Sequence, residues 1–340
     1  MNKLTMNRLY IITGVTGNLG HIIANTLIMQ KHRVRGLILP NQNISHISPK
    51  IELIEGDITD KSSLIPLFKD TEQVEVYVIH TAGIITIDSN YNPMLYKVNV
   101  LGTQNIIELS QFYKVKQFIY TSSVHALPEL NHGQIITEES FSMGSELYGD
   151  YSHSKREATH FLMKEIEKGF NASIVFPSGI VSTEDSNDGL VTQMVKDYLA
   201  RKLKVYIKGG YDFVDVRDVS NAIIKLTQIK NPQKSYILAN QYYSVFDLMS
   251  IMYKLTGIHK VKIKIPLFMV NAAMPMIHLA NKIAKKPMIF TKDSLHILNA
   301  NSLFSSQKAK DDLNYNPRDI RVTLKDLIEN LKSTSIINNI

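Results

Sequence analysis

Short apolar runs alternate along the first half of the chain with amphipathic stretches of helical spacing. The runs have the length of buried strands, which predicts strands at 8–13, 33–39, 51–55, 74–80, 117–122 and 172–176. The stretches between them predict helices at 19–31, 62–69, 93–113 and 151–168. Strands that alternate with helices are typical of a doubly wound parallel sheet. The sequence therefore predicts an α/β fold.

The alternation becomes less regular after Pro177. A loop at 183–189, a strand at 212–216 and a helix that begins after Asp218 follow. We interpret this part as a smaller lobe that is interleaved with the last sheet elements. The predicted division is a first domain at 1–176, to which elements near 211–228 return, and a C-terminal substrate lobe at 177–210 and 229–335.

One apolar stretch, at 266–284, approaches the length of a membrane span. Asn271, Pro275 and Lys282 interrupt it, and polar groups of this kind are costly inside a bilayer. We expect a helix that covers the substrate and no integral span. Peripheral membrane contact is the alternative.

Composition and charge exclude several classes of protein. At 340 residues with 44% hydrophobic content, the chain can bury a substantial core. It has no cysteine, which rules out disulfides and thiolate chemistry and suits a reducing cytoplasm. The formal charge of +7 comes from Lys and Arg scattered among acids, without a run of five. We expect a cytoplasmic protein with no nucleic-acid partner. We also expect no metal, since the histidines show no ligand spacing.

A glycine-rich turn lies between the first predicted strand and the first predicted helix. Gly14, Gly17 and Gly20 have no side chains to keep backbone N–H groups and the helix N-terminus away from a pyrophosphate. This pattern indicates a Rossmann-type dinucleotide site. Asp57, after the third strand, has two interpretations: an acceptor for an adenine amino group, or a helix cap.

Tyr151 and Lys155 stand four residues apart on a predicted helix, so they share one face. An ammonium near a phenol favours the ionised phenol and lowers its pKa from about 10 toward neutral pH. Such a phenol can act as an acid or a base. The same spacing recurs at Tyr198 and Lys202, but only the first pair follows a strand that ends in hydroxyl residues. We expect the second pair to lie on a solvated helix face.

Together these motifs resemble the extended short-chain dehydrogenase/reductase family, part of the NAD-dependent epimerase/dehydratase superfamily, over essentially the whole chain. In chain order, the matching pieces are 13–20 (TGVTGNLG), Gly56-Asp57, His80-Thr81-Ala82-Gly83, Asn99-Val100, Gly102-Thr103, Thr121-Ser122-Ser123, Tyr151, Ser154-Lys155, Pro177, 214–219 (VDVRDV), Lys308-Ala309, Leu313, Tyr315 and Pro317-Arg318. So many motifs in the same order make the resemblance specific. It implies a Rossmann-type fold with a smaller, interleaved C-terminal substrate lobe.

The resemblance implies a role for each of four side chains. Tyr151 is the acid/base, and Lys155 lowers its pKa and holds the nicotinamide ribose. Ser123 bonds the substrate oxygen, and Asn99 supports a proton-relay water. The alternatives are a strand-end hydroxyl without function for Ser123 and a loop or helix-terminus hydrogen bond for Asn99. The expected cofactor contacts are Gly14, Thr16, Gly17, Asn18, Leu19, Gly20, Asp57, Ile58, Thr81, Ala82, Gly83, Tyr151, Lys155, Pro177 and Ile180.

Two departures from the family pattern narrow the reaction. The sugar-nucleotide dehydratases of the family that this chain resembles carry an Asp-Glu pair after the strand-end hydroxyl. This chain has Val124 and His125 at those positions, which argues against dehydration. Epimerases commonly carry an Arg-x-x-Asn segment where this chain reads 175–180 (VFPSGI), which weakens epimerisation. The remaining pattern is most similar to the dihydroflavonol-reductase-like and 3-beta-hydroxysteroid-dehydrogenase-like branch.

This resemblance implies an NAD(P)-dependent oxidoreductase that interconverts a carbonyl and an alcohol on a small, fairly apolar substrate. Two alternatives stay open: a sugar or sugar-nucleotide epimerase with the same chemistry, and a cofactor-sensing protein without catalysis. Candidate substrate contacts are Ile85, His125 and Ser178. His125 has a second interpretation, a local hydrogen-bonding residue on its loop. Ile84, Ile85 and Ile87 form either an apolar wall of the pocket or ordinary core.

Cofactor choice depends on the end of the second strand. An acid there binds the ribose 2′-OH of NAD, and a basic residue meets the 2′-phosphate of NADP. The segment 39–42 (LPNQ) offers neither, while Arg33 and Arg35 belong to the strand itself. The lack of an acid favours NADP(H) slightly. The resemblance also implies a homodimer through the helices near 99–113 and 151–168.

Overall fold

The computed structural model describes residues 8–86, 92–143, 147–184, 189–266, 268–270 and 291–333. Its largest element is a seven-stranded sheet in which all neighbouring strands are parallel. In spatial order the strands are β10 (Ser235–Leu238), β6 (Ala172–Pro177), β5 (Gln117–Thr121), β4 (Glu75–His80), β1 (Arg8–Thr13), β2 (Arg33–Ile38) and β3 (Glu52–Glu55). The strand order reverses between β1 and β4, which is where doubly wound sheets bind ligands. The predicted α/β fold is confirmed.

Helices cover both faces of this sheet, because alternate strand residues point to opposite sides. Leu9 and Ile11 of β1 pack in one core with the helices at 103–112 and 150–167. Tyr10 and Ile12 pack in a second core with the helices at 18–29 and 216–226. The described α-helices are α1 (Asn18–Met29), α2 (Pro93–Tyr96), α3 (Thr103–Phe112), α4 (Asp150–Glu167), α5 (Leu190–Leu199), α6 (Val216–Leu226), α7 (Val245–Thr256), α8 (Lys292–Asn299), α9 (Gln307–Leu313) and α10 (Ile320–Ser333).

Two small sheets and three helices form a second group of elements. β7 (Gly179–Val181), β9 (Gly210–Asp215) and β11 (Gln241–Ser244) make one sheet, and β8 (Val205–Ile207) and β12 (Ile263–Ile265) make the other. Helices α5, α7 and α10 share a third core that includes Tyr198. This tyrosine is fully buried, and its hydroxyl donates to the His259 carbonyl at 2.8 Å. The expectation that Tyr198 lies on a solvated face is therefore wrong, because it belongs to the apolar side of α5.

Two boundaries differ from those expected from sequence. β10 belongs to the large sheet, although it lies within the stretch 229–335 that the sequence assigns to the lobe. Helix α6 packs on α1, and it begins at Val216 and not after Asp218, because Asp215 caps it by accepting the Arg217 N–H at 2.8 Å. The stretch predicted as a helix at 266–284 lies almost entirely outside the described residues. Among the helices that are described, none is both long and apolar enough to cross a bilayer.

Candidate active site

The glycine turn joins β1 to α1 at the point where the sheet changes direction. Gly14 has a φ of +73°, and a Cβ there would lie 2.7 Å from the Ala82 nitrogen. A Cβ on Gly20 would lie 2.2 Å from the Gly14 carbonyl oxygen. Gly17 is the N-cap of α1 and provides no side-chain cap, so the N–H groups of the first turn point out of the helix end. Such a helix end suits the negative charge of a pyrophosphate.

The segment after β4 lies directly over this turn. The Thr81 hydroxyl donates to the Thr13 carbonyl at 2.7 Å, and the Ala82 N–H donates to the Thr13 hydroxyl at 3.3 Å. A Cβ on Gly83 would lie 3.1 Å from Asn99 Oδ1 and 3.5 Å from Lys155 Nζ. The structure thus brings the predicted cofactor residues of two strands next to the predicted catalytic residues.

A buried chain of hydrogen bonds connects the same two strands to α3. Thr103 donates to the Asn99 carbonyl at 2.7 Å, so its oxygen accepts from His80 Nε2 at 2.9 Å. His80 Nδ1 then accepts from the Thr13 hydroxyl at 2.6 Å. Complete burial, helped by the charge of Lys155, lowers the pKa of His80 to about 3. The ring is therefore neutral at physiological pH, with the proton on Nε2.

We predict that His80 makes folding sensitive to acid. The unfolded imidazole takes up a proton below a pKa of about 6.5, whereas the folded ring, with a pKa lowered to about 3, does not. Its contribution to stability is therefore complete above pH 6.5 and falls by about 3 kcal/mol between pH 7 and pH 4. Urea unfolding at both pH values should show a smaller difference in His80→Gln than in the parent. The exposed His132→Gln is the control, and an unchanged difference in His80→Gln would contradict the prediction.

Asn99 lies in a π-helical segment, Lys97–Gly102, between α2 and α3. Insertions of this kind occur frequently at functional sites. The Asn99 side chain accepts from the Ile84 N–H at 2.8 Å and donates to the Ile84 carbonyl at 2.9 Å and to Ser154 Oγ at 3.1 Å. It therefore holds the loop after β4 in place, which matches the alternative of a loop hydrogen bond. The proton-relay role stays a prediction.

Lys155 is nearly inaccessible, with 5% of its surface exposed. Its ammonium donates to the Thr121 carbonyl at 2.9 Å and lies 5.0 Å from the centre of the Tyr120 ring. Burial lowers its pKa to about 8. A Cβ on Gly83 would lie 3.5 Å from this ammonium, which therefore borders the segment after β4, and the contact of Lys155 with a nicotinamide ribose stays a prediction.

The Ser123 side chain lies close enough to the Tyr151 phenol to influence its pKa, so the predicted substrate-binding hydroxyl and the predicted acid/base are adjacent. Burial raises the pKa of Tyr151 to about 12, and the interaction with Ser123 offsets only part of that rise. The pKa shift is thus opposite to the lowering expected from Lys155. The physical reason is that the ammonium is directed to the end of β5 and the phenol is desolvated.

His125 is stacked on Tyr211, with ring centres 5.6 Å apart, and presents an edge to Tyr151 at 6.0 Å. The Tyr211 hydroxyl lies 3.0 Å from His125 Nε2. Within the described residues, His125 Nε2 is the one hydrogen-bond partner of this buried phenol, so we assign the phenol as the donor and the ring proton to Nδ1. Burial and the charge of His296 lower the pKa of His125 to about 4, which keeps the ring neutral. Sequence reasoning missed Tyr211, which carries no motif.

A cleft lies beside this stacked pair, with a free internal volume of about 30 Å³, or about 400 Å³ when the open solvent at its mouth is included. Its polar groups come from residues such as His125, Tyr211 and Ser152. Its apolar wall is formed by Val124, Leu127, Pro128, Ile136, Leu147, Ile297, Ala300 and Phe304. The cavity therefore combines a mostly apolar wall with a few hydrogen-bonding groups, as small-molecule sites do.

Two predicted substrate residues, Ile85 and Ser178, do not line this cavity. Ile85 is 79% exposed on the loop after β4, and Ile87 lies outside the described residues. The Ser178 hydroxyl donates to buried Asp212 at 2.5 Å, which connects β6 to β9. Pro177 ends β6 of the large sheet, and Ile180 lies in β7 of the small sheet that β9 and β11 complete.

At the end of β2, Gln42 donates to the Thr16 hydroxyl at 2.7 Å and so places a neutral amide beside the glycine turn. Arg35 is buried and donates to the Leu67 and Lys69 carbonyls, both at 2.8 Å. It is thus unavailable to a 2′-phosphate, and Arg33 lies at the opposite, amino-terminal end of the strand.

The two residues expected at the adenine end have local partners. The Asp57 carboxylate accepts from the N–H and the hydroxyl of Thr59, at 2.8 and 2.9 Å. Asp57 therefore closes a short turn, and it is Asp60 that caps the following 3₁₀ helix, Lys61–Phe68. Ile58 is buried close to Gly102. A Cβ on Gly102 would lie 2.7 Å from the Ile58 side chain. Ile58 thus packs between this turn and the π-helical segment.

Known proteins resemble the chain over most of its length. The 3beta-hydroxysteroid-dehydrogenase/decarboxylase isoform 2 of Arabidopsis thaliana is 29% identical over 289 residues, which are 79% of this chain and 50% of that protein. Sterol demethylase protein B of Methylococcus capsulatus is 24% identical over 325 residues, 94% of this chain and 96% of that protein. The crystal structure of gox2253 superposes with a TM-score of 0.79 at 26% identity, covering 96% of this chain and 98% of the other.

A sequence model of one family, the NAD dependent epimerase/dehydratase family, matches residues 10–239. That stretch runs from β1 to the end of β10, so it contains the large sheet with the glycine turn, Ser123, Tyr151 and Lys155. The resemblance to extended short-chain dehydrogenases/reductases is thereby confirmed, and the chain belongs to the NAD dependent epimerase/dehydratase family.

Proposed function

We propose that this protein is an NAD(P)(H)-dependent oxidoreductase that interconverts a carbonyl and an alcohol on a small, fairly apolar substrate. The observation that carries the proposal is that Ser123, Tyr151 and buried Lys155 lie together, with Gly83 on one side and His125, which lines the cavity, on the other. The family description supports a nicotinamide cofactor. The names of the sterol and steroid relatives support an apolar substrate.

The chain's own residues account for the proton and the binding steps. A bound reduced nicotinamide supplies the hydride that becomes the new C–H bond of the alcohol. Tyr151 gives its phenolic proton to the substrate oxygen, and Ser123 donates a hydrogen bond to the same oxygen. Because burial raises the pKa of Tyr151 to about 12, this phenol is protonated at neutral pH. The site is therefore better prepared for reduction than for oxidation.

The substrate-binding role of His125 rests on its contacts. Its ring is neutral, is held by Tyr211 and lines the cavity beside Tyr151. With the proton on Nδ1, it is a donor for a second polar group of the substrate, such as a ring hydroxyl or another carbonyl. We propose that this donor orients an otherwise apolar molecule in the cavity.

We propose that either cofactor binds and that the two affinities differ by less than about tenfold. Gln42 beside Thr16 neither repels nor attracts a 2′-phosphate. Arg35 does not support the slight sequence-based preference for NADP(H), because backbone carbonyls hold its guanidinium. That preference is supported only by the absence of an acid at the end of β2.

The homodimer stays a prediction, as does the division into lobes. The two helices expected at the interface leave apolar side chains accessible, among them Phe112 at the end of α3, which is 75% exposed. Leu101, just before α3, is 41% exposed. These side chains support a dimer through this face.

Titration of the protein with NADH and NADPH, followed by a panel of ketones, aldehydes and nucleotide sugars, tests the proposal. We expect saturable binding of both cofactors by fluorescence and stoichiometric oxidation of cofactor with an apolar ketone or aldehyde. Interconversion of a nucleotide sugar without net oxidation would assign the protein to the epimerases. Binding without turnover of any compound would leave a cofactor-sensing protein, and no binding of either cofactor would contradict the proposal at its first step.

A further inference from the structure

The net positive charge of the chain is concentrated in two short segments. Residues 201–208 contain four basic residues and residues 258–266 contain three, with no acid in either segment. Their seven charges equal the formal net charge of +7, so the rest of the chain is balanced. We call these two segments the basic ribbon. Its basic residues are Arg201, Lys202, Lys204, Lys208, Lys260, Lys262 and Lys264.

The fold places the two segments side by side. β8 pairs with β12 in parallel, and Val205 stands opposite Ile263. Lys204 and Lys262 directly precede this first pair of the ladder, and both are exposed. Like charges opposite one another are unfavourable in a sheet. In the described part of the chain, Lys204, Lys262 and Lys264 have no acidic group within ion-pair distance, and Lys202 has only Asp197, at 3.9 Å. Nothing that is described there compensates the repulsion.

Apolar side chains are exposed beside these lysines. Ile263 is 62% exposed and Val205 is 37% exposed, next to Lys262 and Lys204. Phe268 and Met269, which follow β12, are 72% and 51% exposed. An apolar surface rimmed by lysines is a mark of an interaction site.

We propose that the basic ribbon docks on the surface of an anionic lipid bilayer. The lysines attract the negatively charged headgroups, as clustered basic residues do at such surfaces. Ile263 and Val205 reach the boundary between the headgroups and the acyl chains, where apolar side chains contribute to binding. Nucleic acid is the less suitable partner, because single strands are held by aromatic stacking and the exposed residues between these lysines are aliphatic.

The ribbon lies next to the substrate cavity. Ile207 of β8 packs against Leu295 of α8, and Ile297 of the same helix lines the cavity. A docked protein would therefore hold the cavity close to the lipid, where an apolar substrate collects. This link rests on the proposed function, whereas docking itself does not.

Flotation with vesicles tests the docking without any measurement of turnover. The probes are vesicles of phosphatidylcholine alone and vesicles that also contain about 30% phosphatidylglycerol, at low and at high salt. We expect binding to the anionic vesicles only, and less of it as salt screens the charges. The triple variant K204Q/K262Q/K264Q should bind about 100-fold more weakly, since each lysine near an anionic surface contributes roughly fivefold.

A matched variant separates this site from the overall charge. K50Q/K69Q/K230Q removes three exposed lysines outside the ribbon and should bind like the parent. Ile263→Ser should weaken binding about tenfold while the melting temperature stays within a few degrees, because this side chain is mostly exposed. Equal losses in the two triple variants would overturn the proposal, as would no binding to any vesicle. Preferential binding of a single-stranded oligonucleotide over anionic vesicles would overturn it as well.

Discussion

Tyr151→Phe is expected to lower kcat by about 10²- to 10⁴-fold, the contribution of a positioned acid or base. The substitution removes the only atom that gives the proton to the substrate oxygen in the proposed reaction, and it leaves the ring in place. Cofactor affinity should change little, because the glycine turn and Lys155 stay as they are. Steady-state kinetics with the preferred carbonyl substrate, together with cofactor titration, give both quantities.

The chain contains its own control for this substitution. Tyr198 precedes Lys202 at the same spacing, and its hydroxyl makes one partly buried hydrogen bond, to the His259 carbonyl. Tyr198→Phe should cost about 1 kcal/mol of stability and leave kcat unchanged. If Tyr151→Phe turned over substrate at the parental rate, the acid/base assignment would be wrong.

Gly20→Ala is expected to destabilise the protein by about 3 kcal/mol and to abolish cofactor binding. A methyl group at this position would lie 2.2 Å from the Gly14 carbonyl oxygen and 2.9 Å from Thr81 Oγ1. Both atoms are fixed, one by the backbone of the turn and the other by its bond to the Thr13 carbonyl. Helix α1 would have to move away from the turn, which would misplace its N-terminus relative to the pyrophosphate.

Gly17→Ala is the comparison for this effect, because its Cβ would lie 3.3 Å from the same carbonyl oxygen. It should cost about 1 kcal/mol, the usual difference between Gly and Ala at a helix N-cap. Urea unfolding of the two variants and titration with NADH measure both consequences. Equal stability of Gly20→Ala and Gly17→Ala would show that the close approach at Gly20 is not essential to the turn.

Patterns of neighbouring residues correctly predicted the first strand, the glycine turn and the placement of Tyr151 and Lys155 on one helix. Arg8–Thr13 forms the strand that its apolar run indicates, and the glycine turn follows it directly. The spacing of Tyr151 and Lys155 correctly places both on α4. The sequence did not predict β10. Its four residues are identified as a strand only by their pairing with β6, about 60 residues earlier.

The electrostatics of the site depend on contacts between distant residues, and the sequence could not supply these. The Lys155 ammonium is directed to the Thr121 carbonyl, 34 positions away, so its expected effect on the phenol is replaced by burial. In the sequence Arg35 is one more basic residue of a strand. In the structure its guanidinium donates to the Leu67 carbonyl, 32 positions further along the chain. Tyr211 meets His125 because β9 passes beside the cavity, and no motif marks it.

The most direct test of the proposed reaction follows deuterium from a nicotinamide labelled at C4 into the product. The reduced, labelled cofactor is incubated with the protein and an apolar ketone, and the alcohol is analysed by mass spectrometry. With deuterium at both C4 positions, so that either face delivers it, the proposed reaction predicts one deuterium on the carbinol carbon for each cofactor oxidised. Tyr151→Phe should form the labelled alcohol about 10²- to 10⁴-fold more slowly. Unlabelled alcohol, or epimerised nucleotide sugar with the cofactor still reduced, would contradict it.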